Sequence, residues 1–141
     1  GYPAPRDEAA MIKNRQSRNP LEQVRPVLTR QHLLNLQSLV AETYLSDSVI
    51  DYLVSLSAAT RSSELLSRGA SPRASLSMAS MAKAIAQLRG RDYVVPGDVK
   101  EVFLPTLSHR VQLSSKAESQ GKTAAQVLKS ILDATPAPRL R

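Results

Sequence analysis

The chain has 141 residues, with 19 Lys and Arg against 12 Asp and Glu, for a net charge of +7. A chain of that length can bury one core of ordinary size. With 42% hydrophobic but only 4% aromatic residues, that core must be aliphatic. The absence of Cys excludes disulfides, thiolate metal sites and Cys nucleophiles, and fits a reducing compartment such as the cytoplasm. No apolar run approaches the roughly 20 residues that a membrane-spanning helix needs. The opening Gly1-Tyr2-Pro3-Ala4-Pro5-Arg6 has neither Met nor an apolar signal segment, and reads as the cut start of a longer protein. A sequence pI near 10.1 raises the question of an anionic partner. The basic residues are scattered from Arg6 through Arg61 and Arg91 to Arg141, however, which describes a solvated surface better than a nucleic-acid footprint.

Helical periodicity and good caps organise the chain. Acidic Asp7 and Glu8 precede Lys13, Arg15 and Arg18, an order that complements a helix dipole, and Asn19-Pro20 ends this first helix. Residues 21–27 read as an irregular connection. Thr29 then caps a second helix, stapled by Leu28 and Leu33, whose Leu33, Leu36, Val40 and Tyr44 predict one buried face. Ser46-Asp47 opens a third helix with Leu45 and Ile50 as its staple and Val49, Ile50, Leu53, Leu56 and Thr60 as its inner stripe. Residues 61–69 read as a polar connection.

Ser71 caps a fourth helix with Pro72 at its first position, and Gly90 ends it after Arg89. This helix is rich in Ala and Ser, so neighbouring backbones can approach it closely, which places it at the centre of the bundle. The β-branched stretch Arg91 to Val95 is extended. A fifth helix runs from Pro96 toward Leu104, Val111 to Leu113 is a second extended piece, and residues 114–120 are weakly patterned. Thr123 and Gln126 form a capping box for a last helix with Val127, Leu128, Ile131 and Leu132 as its stripe, ended by Pro136 and Pro138. The expected fold is an all-α bundle of five to six helices over residues 1–135, with at most minor extended segments, and a basic tail over 136–141.

Fragments of catalytic motifs do not assemble into an active site. Gly121-Lys122-Thr123 ends like a phosphate-binding loop, but Lys116 stands where its first Gly belongs, and a capped helix start explains it. Ser80-Met81-Ala82-Lys83 has a Ser-x-x-Lys spacing without its partner motifs, and reads as helix surface. His32 and His109 lack metal-ligand spacing, so no metal site is expected. Asp98 and Glu101 serve the start of the fifth helix rather than acid–base chemistry.

One charge stands out. Arg73 is the second residue of the Ser71-Pro72 helix, where a cation meets the positive end of the dipole at a cost of a few tenths to about 1 kcal/mol. Arg68, just before Gly69 and Ala70, adds to the same field. A guanidinium at a helix N-terminus, after a small-residue turn, makes an anion site from Gly69, Ala70, Ser71, Pro72 and Arg73. The competing account folds Arg73 back onto Glu64 or Asp92.

The sequence words Gly69-Ala70-Ser71-Pro72-Arg73-Ala74, Ala82-Lys83-Ala84 to Leu88, Gly90-Arg91-Asp92-Tyr93-Val94 with Pro96, Asp98-Val99-Lys100 and His109-Arg110 occur in an order that resembles the C-terminal lid of MoxR-type AAA+ ATPases. Ala59-Thr60-Arg61 and Gly1-Tyr2-Pro3 are similar to that family too, and magnesium-chelatase subunits are similar relatives. The resemblance implies an AAA+ lid fold, with Arg73 as the sensor-two arginine that contacts the γ-phosphate of ATP, within a subunit or across to a neighbour. It also implies Mg held by a separate ATPase core, assembly with that core and with neighbouring subunits as a hexamer, and chaperone-like work on von Willebrand factor A-type partners in the bacterial cytoplasm. The Walker and sensor-one residues of such a core are absent here, so the resemblance does not imply hydrolysis by this chain alone. At the fifth helix the family's Ser or Thr cap is replaced by Val95, which predicts fraying there at a cost on the order of 1 kcal/mol.

The alternatives are a small basic helical DNA-binding protein, motivated by the net charge, and a standalone adaptor for acidic helices. A gel-shift titration at two salt concentrations separates the first of these from a lid. A DNA-binding protein should bind tightly with a steep salt dependence, whereas a lid should show only weak, nonspecific retention.

Overall fold

A computed structural model describes residues 1–16 and 19–139. Arg18, placed by the sequence at the basic end of the first helix, and the final Leu140 and Arg141 of the tail lie outside the described residues. The chain divides into two units, Gly1–Leu34 and Asn35–Arg141.

In the first unit, helix α1 (Pro5–Arg15) has Pro5 in its opening turn, Asp7 and Glu8 near its N-terminus, and Lys13 and Arg15 in its last turn. It buries no side chain. A 3-10 turn (Pro20–Gln23) follows, held by Asn19, whose side chain accepts the Leu21 N–H at 3.2 Å. Helix α2 (Arg30–Glu42) begins in this unit as expected, with Thr29 Oγ1 accepting the His32 N–H. Its predicted buried face is a correction. None of its residues is buried, Leu33 and Leu36 are 51% and 46% exposed, and Tyr44 beyond it is exposed as well. Periodicity identifies an apolar stripe, but of its residues only Val40 is half-buried, near the end of the helix where Lys83 donates to the Ala41 carbonyl.

The second unit continues with α3 (Asp47–Ser62), β1 (Leu66–Arg68), α4 (Pro72–Leu88), α5 (Pro96–Leu107), β2 (Gln112–Leu113), α6 (Ser115–Ser119) and α7 (Ala124–Ala134). Helix α4 packs on α5 and α3, and α7 packs on the same two helices. Ala74, Met78, Ala82 and Ala86 recur every four residues along α4 and are fully buried, so the small-residue helix is central. Helix α3 turns Val49, Tyr52, Leu53, Leu56, Ser57 and Thr60 inward. Ile50, assigned to that stripe from the sequence, is instead 42% exposed, because the inward face is set by Val49, Leu53, Leu56 and Thr60, and Ile50 falls beside it.

The connection over residues 61–69 also differs from its reading. Its centre is strand β1, which pairs antiparallel with β2, and Ser67 Oγ donates to the Leu113 carbonyl at 2.8 Å. Residues 114–120 contain the single-turn α6, opened by Ser114, whose Oγ accepts the Ala117 N–H. Thr123 and Gln126 exchange side-chain and backbone hydrogen bonds at the start of α7, and Gly121 (φ +65°) makes the left-handed turn before it. The all-α expectation therefore holds, with seven helices among the described residues and one small ribbon.

The predicted fraying of α5 is overturned by Asp98, which the sequence places at the start of that helix but without its partners. Val95 offers no side-chain oxygen, but the Asp98 carboxylate, fully buried, accepts the Val95 N–H at 2.9 Å. The same carboxylate takes Arg91 at 2.7 and 2.9 Å and Arg89 at 2.9 Å. Arg89 also reaches Glu101 at 2.5 Å. One buried carboxylate thus joins the end of α4 to the start of α5 (three groups donate to it), and Arg91 further donates to the Tyr93 carbonyl. A single parallel bridge, Tyr44 to Tyr93, ties the residues after α2 to the same segment.

Burial pushes the Asp98 carboxyl upward, but the Arg91 hydrogen bond, the Val95 N–H and the Arg91 and Arg89 cations outweigh it, leaving the group below its ordinary value. A carboxylate depressed in the folded state contributes stability that is complete above its unfolded value and vanishes as pH falls through the folded one. Asp98→Asn should therefore lose about 2 kcal/mol at pH 7 in urea unfolding. The gap to the parent should narrow below a pH of about 4. A gap that stays constant from pH 7 to pH 3 would mean the carboxylate charge is not its source.

Candidate functional site

The turn that launches α4 is built from the end of α3. Thr60 is an apolar-stripe position occupied by a hydroxyl, and burial obliges that hydroxyl to find partners. It finds two: Oγ1 donates to the Ser57 carbonyl at 2.7 Å and accepts the Ala70 N–H at 2.8 Å. The next residue, Arg61, donates through Nε to the Ala70 carbonyl at 2.7 Å. The Ala70 residue is thus held at both its N–H and its C=O by consecutive residues of α3. Gly69 completes the clamp by proximity, since a Cβ there would lie 2.6 Å from the Thr60 carbonyl oxygen and 2.7 Å from Arg61 backbone atoms. No side chain fits.

From this clamp the helix starts as the sequence predicts. Ser71 Oγ accepts the Ala74 N–H at 3.3 Å, Pro72 occupies the first turn, and Ala70 and Ala74 are buried beneath. Ser75 Oγ meets Ser57 Oγ at 2.8 Å, adding a second polar link between α4 and α3. Arg73 is exposed, and its carbonyl accepts from Ser77 Oγ one turn on. Among the described residues, Arg73 makes no ion pair. Glu64, one of its two candidate acceptors, pairs instead with Lys116 at 2.7 Å, and that hydrogen bond and charge lower the Glu64 carboxyl against a small opposing effect of burial. Arg68 lies in β1 and is also exposed. The site therefore presents an unpaired guanidinium at the positive end of a rigidly mounted, 17-residue helix, which is the electrostatic arrangement for binding an oxyanion.

The five residues singled out by the sequence are contiguous and come together as one turn. Sequence reasoning missed how that turn is held. Thr60 was placed in a packing stripe and Arg61 in a connection, although a Thr on an apolar stripe is itself a signal of a buried hydrogen bond. The remaining motif fragments are structural. Ser80 Oγ donates to the Leu76 carbonyl and Lys83 Nζ to the Ala41 carbonyl, while Thr123 caps α7. No group of three or more His, Asp or Glu that could hold a metal occurs among the described residues, and none of the site's residues is a carboxylate.

A helical unit with a small ribbon, whose central helix starts from a clamped turn carrying a cation, defines a class. The AAA lid domain family matches residues 58–131, and the chain belongs to that family. Its relatives place it beside the MoxR proteins. It is 34% identical over 149 residues to Chaperone MoxR1 of Mycobacterium tuberculosis, covering 99% of this chain and 39% of that one. It is 31% identical over 138 residues to "Uncharacterized protein YeaC" of Bacillus subtilis, covering 98% of this chain and 43% of the relative. The crystal structure of a "putative ATPase" from Cytophaga hutchinsonii superposes with a TM-score of 0.82 at 27% identity, over 99% of this chain and 45% of that one. The chain thus spans less than half the length of each of these relatives.

Gly69→Ala should destabilise the fold by about 2–4 kcal/mol in urea unfolding, because the contacting atoms are backbone and cannot rotate away. Thr60→Val, which keeps the shape and strands the Ala70 N–H, should lose about 1–3 kcal/mol. If both variants unfold at the parent midpoint, the turn is not clamped as described.

Proposed function

We propose that the chain acts as the lid of an ATP-driven, MoxR-type AAA+ machine, with Arg73 as its sensor-two arginine. The observation that carries this reading is the exposed Arg73 guanidinium, without a carboxylate partner among the described residues, on a turn whose backbone α3 holds at both ends. An arginine so mounted donates charge-assisted hydrogen bonds to the terminal phosphate of ATP and transmits the loss of that phosphate to the orientation of α4. The turn residues Gly69, Ala70, Ser71 and Pro72 form the phosphate neighbourhood.

Residues 1–135 form the lid in this reading, and 136–141 a basic tail. The lid works against an ATPase core carried by the remainder of the protein, which supplies the Mg ligands and the water-activating residues. Similarity to proteins named MoxR supports assembly as a ring, for which we propose a hexamer, in the cytoplasm where ATP is held. The work done is chaperone-like remodelling, with a von Willebrand factor A-type protein as the proposed partner. Nucleic acid and membrane have no part in it.

The test is Arg73→Ala in the full protein that contains the nucleotide-binding core. Turnover of ATP should fall by at least about tenfold. The circular dichroism spectrum should stay at the parent's and the unfolding midpoint should not fall, because the side chain is exposed and unpaired and its loss relieves the dipole cost of a few tenths to about 1 kcal/mol. Parent-level turnover by a correctly assembled ring would remove the assignment.

A further inference from the structure

A second cationic surface lies one helical turn beyond the candidate phosphate site, and the lid reading does not use it. Helix α4 and the end of α5 enclose an open cavity of about 460 Å³. Its apolar lining comes from Leu76, Met81 and Pro105, and its polar edge from Ser77, His109 and Arg110. Leu76 is 70% exposed and Met81 48%, so two large apolar side chains face water beside a guanidinium. No residue lining the cavity is acidic.

Arg110 is held ready rather than neutralised. Its Nη1 donates to Ser77 Oγ at 3.2 Å, and its Nε donates to His109 Nε2 at 3.2 Å, neither of them a carboxylate. Arg89, Arg91, Lys116 and Lys129, by contrast, all pair with carboxylates. Among the described residues no carboxylate lies within ion-pair distance of Arg110. Fixing a guanidinium by two bonds to groups other than carboxylates removes much of the entropy lost on binding and leaves its charge for an incoming group. Exposed apolar side chains around such a cation select a ligand that carries a carboxylate beside an aliphatic side chain, since a bare anion would leave Leu76 and Met81 in water.

We propose that this cavity is a docking site for an acidic, aliphatic peptide segment of a partner protein, with Arg110 forking onto its carboxylate and Leu76 and Met81 receiving the neighbouring side chain. The contact is independent of Arg73, so either assignment can fail without the other.

The test uses the 15N-labelled 141-residue chain and a capped synthetic peptide, Ser-Leu-Glu-Leu-Glu-Ser. Saturable amide shifts should be confined to residues 76–81 and 106–110 in the two-dimensional spectrum. Replacing both Glu of the peptide by Gln, or Arg110→Gln in the protein, should each weaken binding at least about tenfold. Leu76→Asp, at an exposed position that folding does not need, should abolish the shifts and serves if Arg110→Gln fails to fold. The proposal is overturned if no saturable shift appears up to about 2 mM peptide, or if the Gln peptide binds equally well. Inorganic phosphate alone reproducing the shifts would also overturn it, making the cavity a simple anion site. So would shifts that follow protein concentration without peptide, which would make a second copy of the chain the occupant.

Discussion

The one-carbon side chains of Ala74, Ala82 and Ala86 let α4 sit fully buried on one face against α3 and α5. Larger residues at these positions would separate the helix axes and open the core. Met78, the single long side chain in that row, fills the space the alanines leave. The core around this helix is aliphatic apart from Phe103 and the ring of Tyr52. Tyr52 contributes its ring at the expense of a buried hydroxyl with no hydrogen-bond partner among the described residues, and burial accordingly pushes its phenol upward.

With α4 fixed laterally, its two ends are defined by polar devices of different kinds. At the N-terminus the devices include no carboxylate: the Thr60 hydroxyl, the Arg61 guanidinium on the Ala70 carbonyl, the close approach of Gly69 and the Ser71 cap. They position the turn without cancelling the positive end of the helix, so the Arg73 charge and the dipole act on the same region of solvent. At the C-terminus the device is ionic, with Asp98 between Arg89 and Arg91. Arg89 is half exposed and contributes less than its short distance suggests, because water competes for it. Arg91 and the Val95 N–H are better shielded, and these make the junction between α4 and α5. A helix closed by an ion pair at one end, and at the other by groups that bring no carboxylate, can present a binding cation at the open end.

Legibility in the sequence followed the range of the interaction. Thr29, Ser71, Thr123 and Gln126 were recognisable because capping involves residues within three positions of each other. The central place of α4 was recognisable because its richness in Ala and Ser is a property of composition, whereas which of those residues form the buried row was decided by the packing. The pairing of the ribbon was not, although Val111 to Leu113 was read as extended, since Leu66 and Leu113 meet across 47 positions and β1 is too short to carry a period. Asp98 was read as serving the start of α5, but its grip on Arg89 and Arg91 depends on how two helices meet. Leu33 and Leu36 mark the opposite limit: a period proves that a face is apolar, not that something covers it.

The order of residues alone therefore determined that the protein is helical, where its capped longer helices begin, and that a cation stands two residues into the one richest in alanine. Each of these rests on chemistry between near neighbours along the chain. Only the tertiary structure decided that Thr60 and Arg61 seize Ala70, that Glu64 is taken by Lys116, and that Arg73 faces solvent without a carboxylate partner among the described residues. Those outcomes depend on distances between segments brought together by burial, and competition for a partner in space leaves no periodic trace in a linear sequence.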